Sequence, residues 1–163
     1  EIIPKGAEVY NGYSTTLAEI VFVDYLKDGK HGWNNLHETV LKEQDKTKQA
    51  GLRRKSVTSD YFLGSINAIS KNGELVACDA SGSRVTAYPF AAKHLILVAS
   101  ANKITNNLEE AMKRVREYAF PLENERAKKV YGMGSMIGKW VIIEHEMFPE
   151  RTTLILVKEK LGF

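Results

Sequence analysis

The sequence predicts an α/β fold built on a mostly parallel central sheet. Residues 94–99 (HLILVA) form a continuous aliphatic run, which is typical of a strand buried on both faces of a parallel sheet. Residues 7–10 and 74–78 are predicted strands, and each is followed by a loop of small residues and then by a helical pattern. A helix after residue 107 carries one apolar face, which would cover the sheet.

Length and composition indicate one ordinary globular domain over residues 1–163. The net charge of +3 is too small to indicate nucleic acid, and no apolar run approaches the roughly 20 residues of a membrane-spanning helix. Cys78 is the sole cysteine, so an internal disulfide is excluded and a reducing, cytoplasmic compartment is expected. His31 and His37 have no third ligand at a recognised spacing, and we predict neither metal nor cofactor.

The first loop follows the strand at residues 7–10 and precedes a helix. Gly12 and the hydroxyl residues Ser14, Thr15 and Thr16 are suited to binding an anion there. The alternative is that one hydroxyl only caps the helix, with Glu19 near the third helical position.

The central stretch is predicted to contain most of the site. Residues 61–69 and 74–78 are predicted strands joined by a hairpin turn at Asn72-Gly73, since both turn residues tolerate positive φ. Ligands of open α/β sheets bind at the carboxyl ends of the strands. Seven residues in and after these strands are therefore expected to gather around one crevice: Asn67, Asp79, Ser81, Gly82, Arg84, Asn102 and Lys103.

The remaining segments are predicted to surround this core. Residues 35–56 are a predicted helix region ending in Arg53-Arg54-Lys55, either a solvated helix end or a positive rim for an anionic ligand. Phe120-Pro121 is expected to stop the apolar-faced helix, and a second helix is predicted at residues 123–130. Residues 132–139 fail the spacing of a phosphate loop. Residues 140–144 and 152–157 are predicted to close the sheet as a hairpin.

Several motifs together resemble the lactate-utilisation (LUD, formerly DUF162) domain family, over nearly the whole chain. They are residues 12–20 (GYSTTLAEI), 58–69 (TSDYFLGSINAI), 72–73 (NG), 79–85 (DASGSRV), 102–104 (NKI), 156–157 (LV) and 161–163 (LGF). The resemblance implies the three-layer α/β/α fold shared by ribose-5-phosphate isomerase, glucosamine-6-phosphate deaminase and the CoA-transferases. Glycine-rich loops of that group bind phosphates or acyl-CoA.

The chain departs from these relatives at several points. Asn67 stands where the similar sugar-phosphate isomerases related to translation initiation factor 2B carry a catalytic Asp, and an amide cannot act as an acid or base. Ala77 and Ala80 stand where the LUD family usually has Asn and Gly. Longer relatives carry a cysteine-rich insertion that residues 124–139 lack, so no iron–sulfur role is implied. The family also implies a helical segment before Glu1.

The sequence is compatible with two functions from different classes. The first is a LUD-type domain that binds a small anionic metabolite (a carboxylate, phosphate or CoA group), linked to lactate utilisation. Arg84 and Lys103 would hold the anion, and Asp79 and Glu19 are the acid–base candidates, although Asp79 is equally suited to capping a helix and Arg84 to a structural ion pair. The second is a non-catalytic scaffold or sensor subunit of an oxidoreductase, with a second copy or lactate-oxidation subunits as partners. An isomerase or CoA-transferase-like enzyme is a further alternative.

Overall fold

A computed structural model describes residues 2–163 and confirms the α/β fold with its mostly parallel central sheet. The central sheet contains β1 (Glu8–Asn11), β2 (Asn34–Asn35), β3 (Tyr61–Gly64), β6 (His94–Ser100) and β9 (Thr152–Val157). Its strand order is β2-β1-β3-β6-β9, and every neighbouring pair is parallel. The carboxyl ends of β1, β3 and β6 therefore lie at one edge.

A second sheet packs beside the first. It contains β4 (Ala68–Ser70), β5 (Leu75–Asp79), β7 (Ile104–Thr105) and β8 (Lys139–Ile143) in the order β7-β4-β5-β8. The predicted Asn72-Gly73 hairpin is confirmed, since β4 and β5 are antiparallel and Gly73 has a φ of +107°. The predicted single strand at residues 61–69 is divided into β3 and β4, which belong to different sheets.

The predicted C-terminal hairpin is wrong. Strand β8 pairs antiparallel with β5, and β9 pairs parallel with β6, so the two last strands lie in different sheets. The turn between them is a crossover from one sheet edge to the other. The pairing with β5 places β8 against the main core. Its Val141 and Ile143 pack on the same core cluster as Leu95 and Leu97 of β6.

Helices cover both faces of the central sheet, giving three layers. Helices α1 (Thr15–Glu19) and α2 (Phe22–Asp28) pack on one face around Leu17 and Leu26. Helices α3 (Leu36–Lys42), α4 (Lys46–Lys55) and α5 (Ser83–Thr86) lie on the other side of the sheet, where the second sheet also contributes to the core. At the centre of this core Tyr88 is fully buried, and its hydroxyl donates to Ser65 O at 2.8 Å.

Helices α6 (Leu108–Arg114) and α7 (Phe120–Tyr131) form one continuous rod, which contradicts the predicted stop at Phe120-Pro121. They are joined by a π turn at Val115–Ala119, in which the Phe120 N–H donates to Val115 O. Pro121 lies in the first turn of α7, where its missing N–H is tolerated. The apolar face of the rod packs Ala111 and Val115 against the second sheet.

An ion pair between buried Arg151 and half-buried Glu146 lies at the amino end of β9. Arg151 is 8% exposed and donates to Glu146 Oε2 at 2.8 Å and to the carbonyl oxygens of Ala87 and Tyr88 at 3.3 and 3.0 Å. Burial alone would raise the pKa of Glu146, but hydrogen bonds from Thr152, Arg151 and the Phe148 N–H outweigh it and lower the pKa. These hydrogen bonds hold the start of β9 against the turn that contains Tyr88.

Over residues 2–163, no helix is both long enough and apolar enough to cross a bilayer.

Candidate functional site

Two adjoining cavities lie at the carboxyl edge of the central sheet. The inner cavity has a volume of about 60 Å³, and the outer cavity has a volume of about 550 Å³. Four residues line both of them: Tyr13, Asn67, Arg84 and Glu123. The inner cavity is also lined by the predicted residues Ser14, Thr15, Thr16 and Lys103, and the outer cavity by the predicted residues Asp79 and Ser81.

Lys103 forms the base of the inner cavity. It is 3% exposed, and its Nζ donates to Thr16 Oγ1 at 3.0 Å, Ser65 Oγ at 3.2 Å and Ile66 O at 3.1 Å. All three acceptors are neutral, and no described carboxylate lies within 4 Å of the ammonium group. Burial and the positive charges of Arg114 and Arg84 together lower the pKa of Lys103 to about 8, and the negative charge of Glu19 opposes them in part. The protein therefore keeps a buried cation that has no described carboxylate in ion-pair contact.

The hydroxyl residues of the first loop have different structural roles. Ser14 caps α1, since its Oγ accepts from the Leu17 N–H at 3.2 Å. Thr16 is 1% exposed and directs its hydroxyl to Lys103 rather than to the helix backbone. Ser14 therefore both caps α1 and lines the inner cavity. Gly162 closes over the far side of Lys103, because a Cβ at Gly162 would lie 3.2 Å from the ammonium nitrogen.

Arg84 and Asp79 form the wall between the two cavities. The Arg84 Nη2 donates to Cys78 O at 2.9 Å, and its Nε lies 3.7 Å from Asp79 Oδ2. Asp79 also accepts from the backbone N–H groups of Ser81 at 2.9 Å and Arg84 at 2.8 Å. Burial would raise the pKa of Asp79, but the charge of Arg84 and the backbone N–H groups of Arg84, Gly82 and Ser81 outweigh it and lower the pKa. Asp79 therefore holds a fixed negative charge that positions Arg84.

The two glycines of the predicted site allow close approaches. A Cβ at Gly12 would lie 2.6 Å from Arg84 Cγ, so the Arg84 side chain lies directly on the Gly12 backbone. Gly82 has a φ of +100°, and a Cβ there would lie 2.7 Å from Lys139 Cδ. Gly12 thus belongs to the site through the space that it leaves for Arg84.

Asn67 and Cys78 connect the second sheet to the cavities. The Asn67 Oδ1 accepts from the Cys78 N–H at 3.0 Å, and the Asn67 carbonyl oxygen accepts from Arg114 Nη1 at 2.7 Å. Burial raises the pKa of the Cys78 thiol to about 11, so the thiol is neutral near pH 7. Cys78 is therefore a packing residue of the cavity wall.

Four predicted residues line neither cavity: Gly12 and Gly82, described above, and Glu19 and Asn102. Glu19 is exposed and accepts from the Gly162 N–H at 2.6 Å, and it lines neither cavity. Asn102 lines neither cavity, and both polar atoms of its amide are buried without a hydrogen-bond partner.

The sequence patterns do not identify the wall of the outer cavity that is formed by α7 and the loop after it. Arg126 on α7 forms a bidentate pair with Glu123 at 2.6 and 2.7 Å, and its guanidinium lies 4.0 Å from the centre of the Tyr13 ring. The hydrogen bonds and charge of Glu123 raise the pKa of Arg126 well above its ordinary value. The loop after α7 adds Met133 and Met136 to this wall. The spacing of Glu123 and Arg126 on one helix face was a usable signal, but only the fold shows which cavity that face borders.

Arg53 is the member of the basic cluster that reaches the site. Its Nη2 donates to Ser81 Oγ at 3.1 Å and to Ser83 Oγ at 3.4 Å, at the rim of the outer cavity. Arg54 and Lys55 do not line this cavity. As for metal binding, residues 2–163 contain no group of three His, Cys, Asp or Glu side chains that could hold an ion.

Comparisons with known proteins identify similar chains. A family model described as the LUD domain matches residues 1–157. No curated protein matches the chain. A solved DUF162 family protein from Deinococcus radiodurans is 11% identical, with a TM-score of 0.44 over 93% of this chain and 87% of its own.

Two further solved structures are similar over shorter stretches. For eIF2B delta from Chaetomium thermophilum the identity is 17% and the TM-score 0.40, over 68% of this chain and 46% of that one. For ribose 5-phosphate isomerase from Plasmodium falciparum the identity is 12% and the TM-score 0.38, over 74% and 62%.

Proposed function

The chain belongs to the LUD domain family, and from that premise we propose that it binds a small anionic metabolite in the inner cavity. The anion is a carboxylate or a phosphate group. The family's link to lactate utilisation makes L-lactate and pyruvate the first carboxylates to test.

The observation that carries this proposal is the uncompensated charge of Lys103. Taking a cation out of water is costly, and proteins usually offset the cost with a paired carboxylate. Lys103 instead has three neutral oxygen partners and borders a cavity. An anion in the cavity would supply the missing counter-ion, and its charge would raise the pKa of Lys103.

The surroundings of Lys103 suit an anion of a few atoms. Arg84 borders the same cavity and has donors in a planar arrangement that matches a carboxylate or a phosphate. The hydroxyls of Ser14, Thr15 and Ser65 add neutral donors. The volume of about 60 Å³ fits the anionic group itself, with the rest of the ligand in the outer cavity.

Binding is favoured over acid–base catalysis by a carboxylate. Asp79 is the predicted acid–base residue that borders the site. Its pKa is lowered and its carboxylate already accepts three hydrogen bonds, so it stays ionised and its oxygens are engaged. The other predicted acid–base residue, Glu19, lies outside both cavities. Asn67, at the position of the isomerases' Asp, holds the backbone of Cys78.

The test is a calorimetric titration at pH 7 with inorganic phosphate, L-lactate, pyruvate and butyrate. We expect binding of at least one anion by the wild-type protein and a loss of about tenfold or more in the Lys103→Met variant, because a charge-assisted hydrogen bond disappears. Lys48→Met is the matched control, since Lys48 is exposed on α4 and carries the same charge. Equal affinities in the wild type and Lys103→Met would overturn the proposal.

A further inference from the structure

We infer that the ligand carries two anionic groups, one held by Lys103 in the inner cavity and the second held by Arg53 at the rim of the outer cavity. The inference rests on the proposed function, because it takes the inner cavity as the site of the first group. It adds a second subsite and with it a chemical class: dicarboxylates or phosphorylated carboxylates.

Arg53 is exposed whereas Lys103 is buried, but both have neutral hydrogen-bond partners. Its guanidinium contacts the hydroxyls of Ser81 and Ser83, and no carboxylate among residues 2–163 lies within ion-pair distance of it. A side chain at the end of α4 thus reaches the loop after β5 with hydroxyls rather than a carboxylate as its direct partners, and Ser81 Oγ in turn donates to Asp79 Oδ1 at 3.2 Å. The remaining N–H groups of the guanidinium and the Ser83 hydroxyl can donate to one anionic group.

The other cations of the outer cavity are already neutralised. Arg126 has its bidentate partner Glu123, and Arg84 has Asp79. Among the basic residues lining the two cavities, Lys103 and Arg53 are thus the two whose charge has no described counter-ion. The wall between these two positions therefore has little net charge.

The volumes agree with a ligand that extends from one cavity into the other. The inner cavity, at about 60 Å³, holds one anionic group, whereas the outer cavity is about 550 Å³. A three-carbon monocarboxylate bound at Lys103 would leave most of the outer cavity, and Arg53 with it, to water. A longer molecule with a second anionic end would reach the rim.

The test compares ligands that differ in the second anionic group alone. Butyrate, valerate and caproate are titrated beside the dicarboxylates of equal carbon number, succinate, glutarate and adipate, and glycerol 3-phosphate is titrated beside 3-phosphoglycerate. We expect at least one doubly anionic ligand to bind about tenfold or more tightly than its partner, the effect of one added charge-assisted contact. The favoured carbon number reports the span between the subsites.

Variants separate this inference from the proposed function. Arg53→Gln should remove the advantage of the doubly anionic ligand and leave the singly anionic ligand unchanged, whereas Lys103→Met should weaken both. Arg54→Gln is the matched control, because Arg54 carries the same charge on the same helix and does not line the outer cavity.

Two results would overturn the inference while leaving the proposed function intact. One is equal affinity within every pair of ligands. The other is an equal loss for singly and doubly anionic ligands in Arg53→Gln, which would make Arg53 a source of general attraction. Failure of every anion to bind would overturn the proposed function itself.

Discussion

Two buried cations lie at opposite ends of the central sheet, and their surroundings differ. Arg151 precedes β9 at the amino edge, and Lys103 follows β6 at the carboxyl edge. Arg151 has a carboxylate partner, Glu146, at 2.8 Å, and it also donates to two backbone carbonyl groups. Lys103 has only neutral oxygen acceptors among residues 2–163.

Under the proposed function, this difference separates a structural cation, Arg151, from a binding cation, Lys103. A cation with a hydrogen-bonded carboxylate partner belongs to the folded structure, and loss of either member leaves the other charge without a partner. A buried cation without a counter-ion lowers the stability of the empty protein, and that cost is recovered when an anion binds. Under the proposed function, the presence of a paired carboxylate, rather than the degree of burial, distinguishes the structural cation from the binding cation.

The largest expected effect is at the structural end. Arg151→Met should lower the free energy of unfolding by about 2–4 kcal/mol, because the carbonyl groups of Ala87 and Tyr88 lose a buried donor and half-buried Glu146 loses its ion partner. Affinity for anions should change little in the folded variant. Chemical denaturation at pH 7 measures the loss, and a decrease of less than about 1 kcal/mol would show that the pair contributes little.

The next effect concerns Lys103 and pH. Its pKa is lowered from 10.5 to about 8, which corresponds to about 3 kcal/mol of folded-state cost while the amine is protonated in both states, below pH 8. Between pH 8 and 10.5 the folded protein loses this proton before the unfolded chain does, so the Lys103 contribution to stability rises with pH. The stability of Lys103→Met relative to wild type should therefore fall across this range.

Denaturation of both proteins at pH 7, 8, 9 and 10 measures this difference, and Lys48→Met shows the behaviour of an exposed lysine. A wild-type minus variant difference that is constant with pH would mean that the amine is not buried as a free cation.

A smaller effect is expected at the wall between the cavities. Asp79→Asn should lower the free energy of unfolding by about 1–2 kcal/mol, because the backbone N–H groups of Ser81 and Arg84 lose a charged acceptor. The lowered pKa means that this stability is present above the ordinary pKa of Asp, near 4, and is lost as the pH falls.

Acid unfolding of the Asp79→Asn variant should therefore depend less on pH than that of the wild type. An unchanged acid profile would contradict the assignment of Asp79 as a positioning residue for Arg84.

The smallest effect is expected at Gly12. In Gly12→Ala the new Cβ would require Arg84 to move, which should weaken anion binding by about threefold to tenfold and lower the free energy of unfolding by about 1 kcal/mol. Gly51→Ala is the control, because Gly51 lies in α4 with no atom within 4 Å of its Cβ position, and it should stabilise the protein by about 0.5–1 kcal/mol. Equal affinity of both variants for the anion would remove Arg84 from the site.

Much of the fold followed from local patterns. The aliphatic run of β6 and the Asn72-Gly73 turn are strong local signals, and both are confirmed. The final hairpin was wrong because strand pattern does not specify the partner strand, and β8 and β9 each pair with a strand far away in sequence. Pro121 did not end its helix because the preceding π turn places it in a first turn.

The site was predictable where residues follow strands directly. Lys103 and Arg84 border the cavities, as the rule for the carboxyl edge of a sheet predicts. Ser65 lies at the same edge and was missed, because its role depends on the distance to Lys103. Arg126 and Glu123 come from a helix whose orientation is fixed by packing against the second sheet. No local pattern contains that information.

The π turn at Val115–Ala119 has a consequence for insertions and deletions. A π turn contains one residue more than the same turn of an α-helix. A deletion within this turn, at exposed Glu117 for instance, converts it to ordinary helical geometry and leaves the two flanking helices in phase, so Arg126 keeps its place beside Tyr13. The same deletion moves Pro121 from a first turn into a helix interior, which costs about 3 kcal/mol of stability. A deletion within α7 instead rotates everything beyond it by about 100° and carries Arg126 away from Tyr13. A change of chain length in the turn therefore affects stability, whereas the same change in α7 alters the cavity wall.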